Sequence, residues 1–300
     1  MMLLATAAWA LGVVLAWAVY DPVVQLLRAA GAVRPNYAGR LVPVAGGLVF
    51  VLATLLAQTV QWILLGLSPW CGYPVQSLLT GAFALLGFAA LGLIDDLLGS
   101  REAGGFGGHF RLLLTEGRLT SGALKALGGA VVAAWPALTA ALARGELAGE
   151  PPALVWSTAA INLLLIALTA NAVNLLDLRP GRAFKGFLLL WVLALVFSQP
   201  GHLVWVWVSP LAGAATVFAL HDLRSEVMMG DTGSNVLGAL IGVGVAWSWT
   251  ISGKLGWLAG LLLFHLYTER ASLSALIERV AVLRWLDRLG RPAEGKDGSA

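Results

Sequence analysis

Two adjacent aspartates, Asp95 and Asp96, end the third long apolar run of the chain. The dipole of a helix favours cations near its C-terminus and opposes a negative pair there. Two neighbouring carboxylates also repel each other unless a cation joins them. The pair therefore predicts either a site that attracts a cation or two solvated acids just beyond the end of a helix.

A second polar group ends the fifth apolar run, where Asn171, Asn174 and Asp177 follow one another at intervals of three residues. This spacing places the three side chains along one face of a helix. Amide and carboxylate oxygens are ligands that a hard cation such as Mg²⁺ prefers. The group predicts a cation site at the end of the helix or, alternatively, a polar seam that hydrogen-bonds between helices.

A third polar group, the segment 229–235, opens the eighth apolar run and contains Gly230, Asp231, Gly233 and Ser234. Asp231 or Ser234 suits the N-cap position of a helix. Glycines also allow close backbone approach, and the N-terminus of a helix attracts phosphate. The segment predicts a helix start that is either simply capped or also part of a phosphate-binding site.

Lys125 supplies a cation near the start of the fourth apolar run. Its ammonium either binds a phosphate or is one more basic residue at the cytosolic face of a membrane protein, which is the commoner case.

These polar groups must be positioned by membrane helices, because 59% of the residues are hydrophobic and only 12% are charged. Ordinary globular domains carry about a quarter charged residues, so the composition excludes a soluble globular enzyme. A single cysteine excludes a disulfide framework. Nine apolar runs, most of them long enough to cross about 30 Å of hydrocarbon, lie approximately at residues 3–20, 45–66, 75–94, 122–142, 153–172, 184–198, 202–220, 235–251 and 256–268.

The distribution of Lys and Arg predicts the orientation of these runs. Of the 19 basic residues, 17 lie in or beside alternate connecting segments, and only Arg144 and Lys254 fall outside them. Basic residues concentrate in this way in cytosolic loops. The pattern predicts an N-terminus outside and a C-terminus in the cytosol, with the acidic groups at the cytosolic face. It also accounts for the net charge of +3 without a nucleic-acid partner.

We therefore expect an all-α, polytopic transmembrane helix bundle of about nine spans with its active site at the cytosolic face. Residues 1–268 would form the membrane domain and residues 291–300 a disordered tail. Between them, residues 269–290 have apolar side chains at helical spacing, which predicts a cytosolic amphipathic helical segment. A surface helix packed on other loops is the alternative for that segment.

Together, the three acidic blocks resemble those of the polyprenyl-phosphate N-acetylhexosamine-1-phosphate transferases, or glycosyltransferase family 4. The paired aspartates of that family match Asp95-Asp96. Its Asn-Ala-x-Asn-x-x-Asp block matches residues 171–177, and its Gly-Asp-x-Gly-Ser block matches residues 230–234. The resemblance begins at Arg34 and runs through the ninth apolar run, so that it covers most of the chain.

The resemblance implies transfer of a sugar-1-phosphate from a UDP-activated amino sugar to undecaprenyl phosphate, with release of UMP, in a bacterial-type plasma membrane. It implies Mg²⁺, which Mn²⁺ can replace, at Asn174 and Asp231. Asp95 and Asp96 would orient or deprotonate the lipid phosphate, with Asp231 as the third catalytic carboxylate, and Lys125 would hold phosphate oxygens. A homodimer is compatible with this architecture.

The resemblance is incomplete around the donor pocket. The family block continues Asp-Gly-x-Asp-Gly, but Pro180 replaces the second aspartate, and Met228 stands where an aromatic residue is common. A histidine-rich motif is also missing from residues 269–300. These differences favour UDP-N-acetylglucosamine over the bulky muramoyl-pentapeptide nucleotide. The residues expected to bind the substrates, besides Lys125, are Asn171, Asp177, Arg179, Arg182 and Met228.

Two other classes of protein compete with this interpretation. A degenerate family member that acts as a scaffold or regulator would explain Pro180 and the missing histidines, but the retention of all three acidic blocks argues against it. A membrane transporter would place its polar site near the bilayer midplane between broken helices, whereas these blocks lie at the ends of helices.

Overall fold

The computed structural model of the protein describes residues 2–66, 75–99, 115, 117 and 120–292. In that part the chain is helical apart from loops and one short hairpin. The helices are α1 (Met2–Ala29), α2 (Leu48–Gly66), α3 (Val75–Leu98), α4 (Ser121–Ala148), α5 (Pro152–Leu176), α6 (Arg182–Val196), α7 (Val204–Leu223), α8 (Gly230–Ser248), α9 (Ile251–Arg270), α10 (Leu273–Arg279) and α11 (Ala281–Arg288). The prediction of an all-α membrane protein is confirmed.

Five of these helices, α1, α3, α4, α5 and α7, are long and apolar enough to cross a membrane. The predicted count of about nine spans stays a prediction. The 15 residues of α6 extend only about 22 Å at 1.5 Å per residue, and the first turn of α8 is polar.

The hairpin joins α1 to α2 and was not predicted. Strands β1 (Val33–Pro35) and β2 (Leu41–Pro43) pair antiparallel, with Arg34 opposite Val42. Its turn is closed by the Asn36 carboxamide oxygen, which accepts hydrogen bonds from the amides of Ala38 and Arg40 at 2.9 and 3.0 Å. The end of the hairpin lies beside the segment that leads into α8, because the amide of Met228 donates to the carbonyl of Pro43.

Helix α8 is the centre of the bundle, since all its residues from Thr232 to Ala246 are buried. It packs against α3 and α5. A Cβ at Gly238 would overlap the α5 backbone, and one at Gly92 of α3 would overlap the first turn of α8. Small residues let membrane helices approach closely, where packing replaces the hydrophobic effect as the driving force. The start of α8 is therefore fixed tightly against the ends of its neighbours.

The segment after α9 differs from the expected continuous helix. It forms two short helices, α10 and α11, separated at Val280, whose backbone is extended (φ −92°, ψ 114°). Asp287 of α11 is buried against α6, where it pairs with Arg182. The break turns α11 towards α6, so the segment packs on the protein. Arg291, assigned to the tail, donates a hydrogen bond to the carbonyl of Pro180 at 2.8 Å, and residues 293–300 lie outside the described part.

Candidate active site

The start of α8 is held by a carboxylate from another helix. Asp96, near the end of α3, is buried and accepts hydrogen bonds from the amides of Asp231 and Thr232, both at 2.9 Å, and from the Thr232 hydroxyl at 2.6 Å. Gly230 has a φ of +71°, and a Cβ there would overlap the Asp96 carboxylate. Asp96 thus caps α8 and positions Asp231.

The Asp231 carboxylate is contacted by side chains from three other helices, α3, α4 and α5. The Lys125 ammonium donates to Oδ2, and the Asn174 amide donates to Oδ1 at 2.7 Å. The side chain of Asp95 also hydrogen-bonds to Asp231. The side chains of Lys125 and Asp231 are 23% and 24% exposed, so a solute can contact this group. Residues that are far apart in the sequence and predicted from separate motifs therefore form one cluster.

Local structure explains how Lys125 and Asn174 are positioned beside Asp231. Thr120 caps α4, because its hydroxyl accepts from the amide of Ala123 at 3.2 Å, which puts Lys125 in the second turn. Asn174 lies in the last turn of α5 and also donates to the Ser234 hydroxyl at 2.9 Å. One amide therefore binds α5 to Asp231 and Ser234, which lie about one turn apart at the start of α8.

A cavity of about 190 Å³ adjoins Asp231. Four residues predicted from the sequence line it, namely Asp177, Arg179, Met228 and Asp231. It is also lined by Asn36 and Tyr37 from the hairpin. The sequence prediction missed this contribution.

Backbone pairing explains why the hairpin overlies the cavity. The amide of Met228 donates to the carbonyl of Pro43 at 2.8 Å, and the amides of Gly46 and Gly47 donate to Met228 and Met229. The end of the hairpin is thus joined to the segment that leads into α8. Arg179 lies over the Tyr37 ring, 4.9 Å from its centre, so the hairpin and the α5–α6 loop meet across the cavity.

Asp177 lies one residue beyond α5, in a group of carboxylates. Burial raises its pKa well above the usual range, and the negative charges of Asp222, Asp231 and Asp96 raise it further, although the Gly230 amide donates to it. A proton or a bound cation relieves such repulsion. This wall of the cavity therefore favours a cation, or a group that accepts a hydrogen bond from the protonated Asp177 carboxyl.

Two residues that the sequence predicts to bind substrate lie outside this cavity. Arg182 is only 5% exposed, and its guanidinium binds Asp287 at 2.8 and 3.2 Å and the Ser274 hydroxyl at 2.9 Å. These bonds occupy it in holding α10 and α11. Asn171 is half-buried, one turn before Asn174 on α5, and is not among the described residues that line the cavity.

An apolar groove of about 610 Å³ begins beside this site and runs between α5, α6 and α9. Leu176, next to Asp177, lies on its wall, together with Gly256 and Gly260 of α9. A Cβ at either glycine would meet no atom within 4 Å, so the glycines widen the groove and do not serve close packing. The groove has the shape and polarity for a long hydrocarbon chain.

Comparison with known proteins identifies the family. A sequence model described as Glycosyl transferase family 4 matches residues 78–248. A phospho-N-acetylmuramoyl-pentapeptide-transferase of Moorella thermoacetica is 31% identical over 233 residues, which are 73% of this chain and 64% of that protein. Transferases of the same name from Clostridium perfringens (strain SM101) and Clostridium kluyveri (strain ATCC 8527) are each 29% identical, over 66% and 67% of this chain and 58% and 60% of their own.

The chain therefore spans less than two thirds of the length of these relatives. The family match covers more than half of the chain and includes Asp95, Asp96, Lys125, Asn174 and Asp231. As its acidic blocks predict, the chain belongs to glycosyl transferase family 4, the polyprenyl-phosphate sugar-1-phosphate transferases.

Proposed function

We propose that the protein transfers a sugar-1-phosphate from a UDP-activated N-acetylhexosamine to undecaprenyl phosphate and releases UMP. The observation that carries the proposal is the cluster of Asp95, Lys125 and Asn174 around Asp231. Asp231 lines a cavity that also has charged side chains on its wall, and an apolar groove reaches Leu176, two residues from Asn174. A water-soluble donor and a lipid acceptor need these two kinds of space beside one reacting group.

The residues around Asp231 suit a divalent cation held jointly with substrate. Among the described residues, no three His, Cys, Asp or Glu side chains form a metal-binding group. Mg²⁺ commonly uses only one or two carboxylates and completes its shell with water and substrate phosphates. Asp231 and Asn174 provide such a partial set, and the contact with Lys125 supports the attraction of this carboxylate for cations. Bound there, Mg²⁺ would neutralise charge on the donor pyrophosphate.

The transfer itself requires positioning and neutralisation of charge more than covalent chemistry by the protein. An oxygen of the lipid phosphate attacks the β-phosphorus of the donor, and the bond from that phosphorus to the oxygen of UMP breaks. Lys125 is suited to move from Asp231 to the phosphate oxygens as negative charge accumulates there. Asp95, which is half-buried and hydrogen-bonded to Asp231, is suited to orient the lipid phosphate and, once it is ionised, to accept its proton.

The lipid and its orientation are part of the same proposal. The prenyl chain would occupy the groove between α5, α6 and α9, with its phosphate near Leu176. The ends of α3 and α5 and the starts of α4 and α8 lie at one end of the bundle, because their side chains meet at Asp231. The positive-inside distribution favours the cytosol for that end, with the N-terminus outside and the C-terminus inside.

We propose UDP-N-acetylglucosamine as the donor. The cavity next to Asp231 is small, about 190 Å³, and Pro180 and Met228 line it at the positions where the sequence departs from the family. Arg291 donates a hydrogen bond to the Pro180 carbonyl and so helps to hold that wall in place. These two departures, with the missing histidine-rich motif, support the compact donor, although the relatives carry the name of pentapeptide transferases.

Purified full-length protein with undecaprenyl phosphate tests the proposal through the release of UMP. UDP-N-acetylglucosamine and the muramoyl-pentapeptide nucleotide compete in one reaction, with and without Mg²⁺. We expect Mg²⁺-dependent release, consumption mainly of the first donor, and loss of turnover in Asp231→Asn. Asp21→Asn, an exposed site on α1, is the matched control.

Each alternative gives a distinct result. Preferential use of the pentapeptide donor would contradict the assignment of the sugar but not the transfer. Folded protein without turnover on any donor would support a degenerate scaffold. Near-normal turnover of Asp231→Asn would show that Asp231 serves only to start the helix and takes no part in catalysis.

A further inference from the structure

The two basic residues that break the positive-inside pattern come together in space. Arg144 of α4 and Lys254 of α9 line one cavity of about 540 Å³. Ala246, near the end of α8, lies on its wall. It is 15 residues from Asp231, or about 22 Å along the helix at 1.5 Å per residue. The cavity is therefore at the opposite end of the bundle from the candidate active site.

Lys254 is a buried cation with few partners. Its side chain is 1% exposed, and its ammonium donates one hydrogen bond, to the carbonyl of Ala246 at 2.6 Å. In the part of the chain that the structure describes, no carboxylate lies within ion-pair distance of it. An ammonium has three donors, and a buried charge is costly unless it is paired and hydrogen-bonded. The free donors of Lys254 therefore favour an anion in the cavity.

Arg144 adds a second set of donors. Its Nε donates to Glu150 at 3.1 Å, and its side chain is 37% exposed. Among the described residues, none accepts a hydrogen bond from the two terminal nitrogens of Arg144. A guanidinium can use these nitrogens together to bind a phosphate. The contact with Glu150 orients Arg144 but leaves this pair of donors available.

His202 indicates that the charge of Lys254 acts on the cavity. Its ring lies on the wall, and its pKa is lowered by burial and by the positive charge of Lys254. A neutral ring can donate or accept a hydrogen bond without adding charge. The remaining wall includes Trp247 and Trp249, a residue type enriched where a membrane meets water.

We propose that this cavity binds a phosphate group between Lys254 and Arg144, on the face of the membrane opposite to the transfer site. A phosphate has enough oxygens for both cations and for His202. An anionic phospholipid headgroup and free phosphate share this chemistry. The aromatic and aliphatic wall favours the lipid, whose chains can lie along the bundle. The inference is independent of the proposed transferase activity.

The thermal unfolding midpoint of the delipidated full chain in detergent tests the site. Dioleoylphosphatidylglycerol, inorganic phosphate and dioleoylglycerol, which lacks phosphate, are titrated separately. Lys254→Met and Arg144→Gln each remove one donor group, and Arg288→Met removes a cation that is 67% exposed on α11. Native mass spectrometry of each sample counts the phospholipid retained.

We expect phosphatidylglycerol, but not dioleoylglycerol, to raise the midpoint of the wild type and of Arg288→Met. Each of the other two variants should need at least about tenfold more lipid, as expected for a lost charge-assisted hydrogen bond. The same dependence on Lys254 and Arg144 with inorganic phosphate alone would support the site and identify free phosphate as its ligand.

Two results would overturn the inference. One is a wild type that shows no phosphate-dependent stabilisation and retains no phospholipid. The other is an equal response of the wild type and the cavity variants. If Lys254→Met does not fold, the response of Arg144→Gln decides between these outcomes.

Discussion

Asp95 and Asp96 are adjacent, yet their replacement by alanine should have opposite consequences. Asp96 is buried and bonded to the first turn of α8, whereas Asp95 is half-buried beside the Asp231 carboxylate. We expect Asp96→Ala to destabilise the protein and to impair catalysis indirectly. We expect Asp95→Ala to abolish turnover while the protein stays about as stable as the wild type.

The magnitude follows from the bonds that each carboxylate makes. Asp96 accepts three hydrogen bonds, two from backbone amides and one from the Thr232 hydroxyl. Loss of a cap costs about 0.5–2 kcal/mol, and each buried donor left without an acceptor costs about 1–3 kcal/mol. These contributions overlap, so we expect the free energy of unfolding to fall by about 2–4 kcal/mol. A change of this size shifts a thermal midpoint by roughly 10 °C.

The unfolding midpoints of both variants are measured at one scan rate. Their turnover is measured as UMP release at a temperature where both are folded. Asp96→Asn is the matched intermediate, because it keeps one acceptor oxygen and should lose less stability than Asp96→Ala. The reasoning is refuted if Asp96→Ala unfolds within about 1 °C of the wild type. It is equally refuted if Asp95→Ala loses as much stability as Asp96→Ala.

Three further predictions concern the parts that support the site. The hydrogen bond from Arg182 and the nearby positive charges lower the pKa of Asp287 against the opposing effect of burial. The stabilisation from this pair is therefore present above about pH 4, the usual pKa of an unfolded Asp, and is lost as the pH falls through the lower folded value. Asp287→Asn should flatten the acid limb of an unfolding-midpoint profile, and Asp287→Ala should cost about 3–5 kcal/mol near neutral pH. A profile identical to that of the wild type would exclude this role. Gly256→Leu should raise the KM for the lipid acceptor about tenfold. The KM for the sugar nucleotide and the unfolding midpoint should not change, since open space surrounds that position. An unchanged KM for the lipid would exclude the groove as the prenyl site. Gly92→Ala should lower turnover sharply, because its Cβ would overlap the backbone at the start of α8, whereas Gly81→Ala on the same helix meets no atom within 4 Å and should behave as wild type. Equal activity of these two variants would show that the contact can relax.

The sequence predicts which blocks meet, because alternating spans bring the ends of α3 and α5 to the start of α8. It could not separate the roles of Asp95 and Asp96. Adjacent residues on a helix point about 100° apart, and which of them faces α8 depends on packing that no local pattern records. Arg182 was assigned to the substrate for a related reason. Its partner, Asp287, is 105 residues away, so the arginine could be judged only by its neighbours in sequence.

The hairpin was missed because its strands have only three residues each, too few for a period-two pattern to stand out. A local signal does exist in the turn. Asn36 can close it with its side chain, and Gly39 has a φ of +77°, a conformation that glycine adopts without strain. The sequence predicts a cytosolic loop between the first two apolar runs, where the family resemblance begins, but no wall of a binding site. Its function as a wall of the cavity depends on backbone bonds to Met228 and to the residues around it.

The hairpin also bears on whether the substrate in the relatives' names applies to this chain. The family match covers residues 78–248 and so contains the whole cluster around Asp231. Asn36 and Tyr37 line the same cavity but lie outside that match. The carboxamide oxygen of Asn36 accepts the two hydrogen bonds of the turn, but its amide nitrogen is buried and has no acceptor among the described residues. A buried hydrogen-bond donor without a partner is costly. A bound sugar nucleotide could supply the missing acceptor. The groups suited to phosphoryl transfer thus belong to the shared region, whereas part of the wall that selects the sugar nucleotide does not. Membership of the family therefore supports the reaction more strongly than it supports the identity of the sugar.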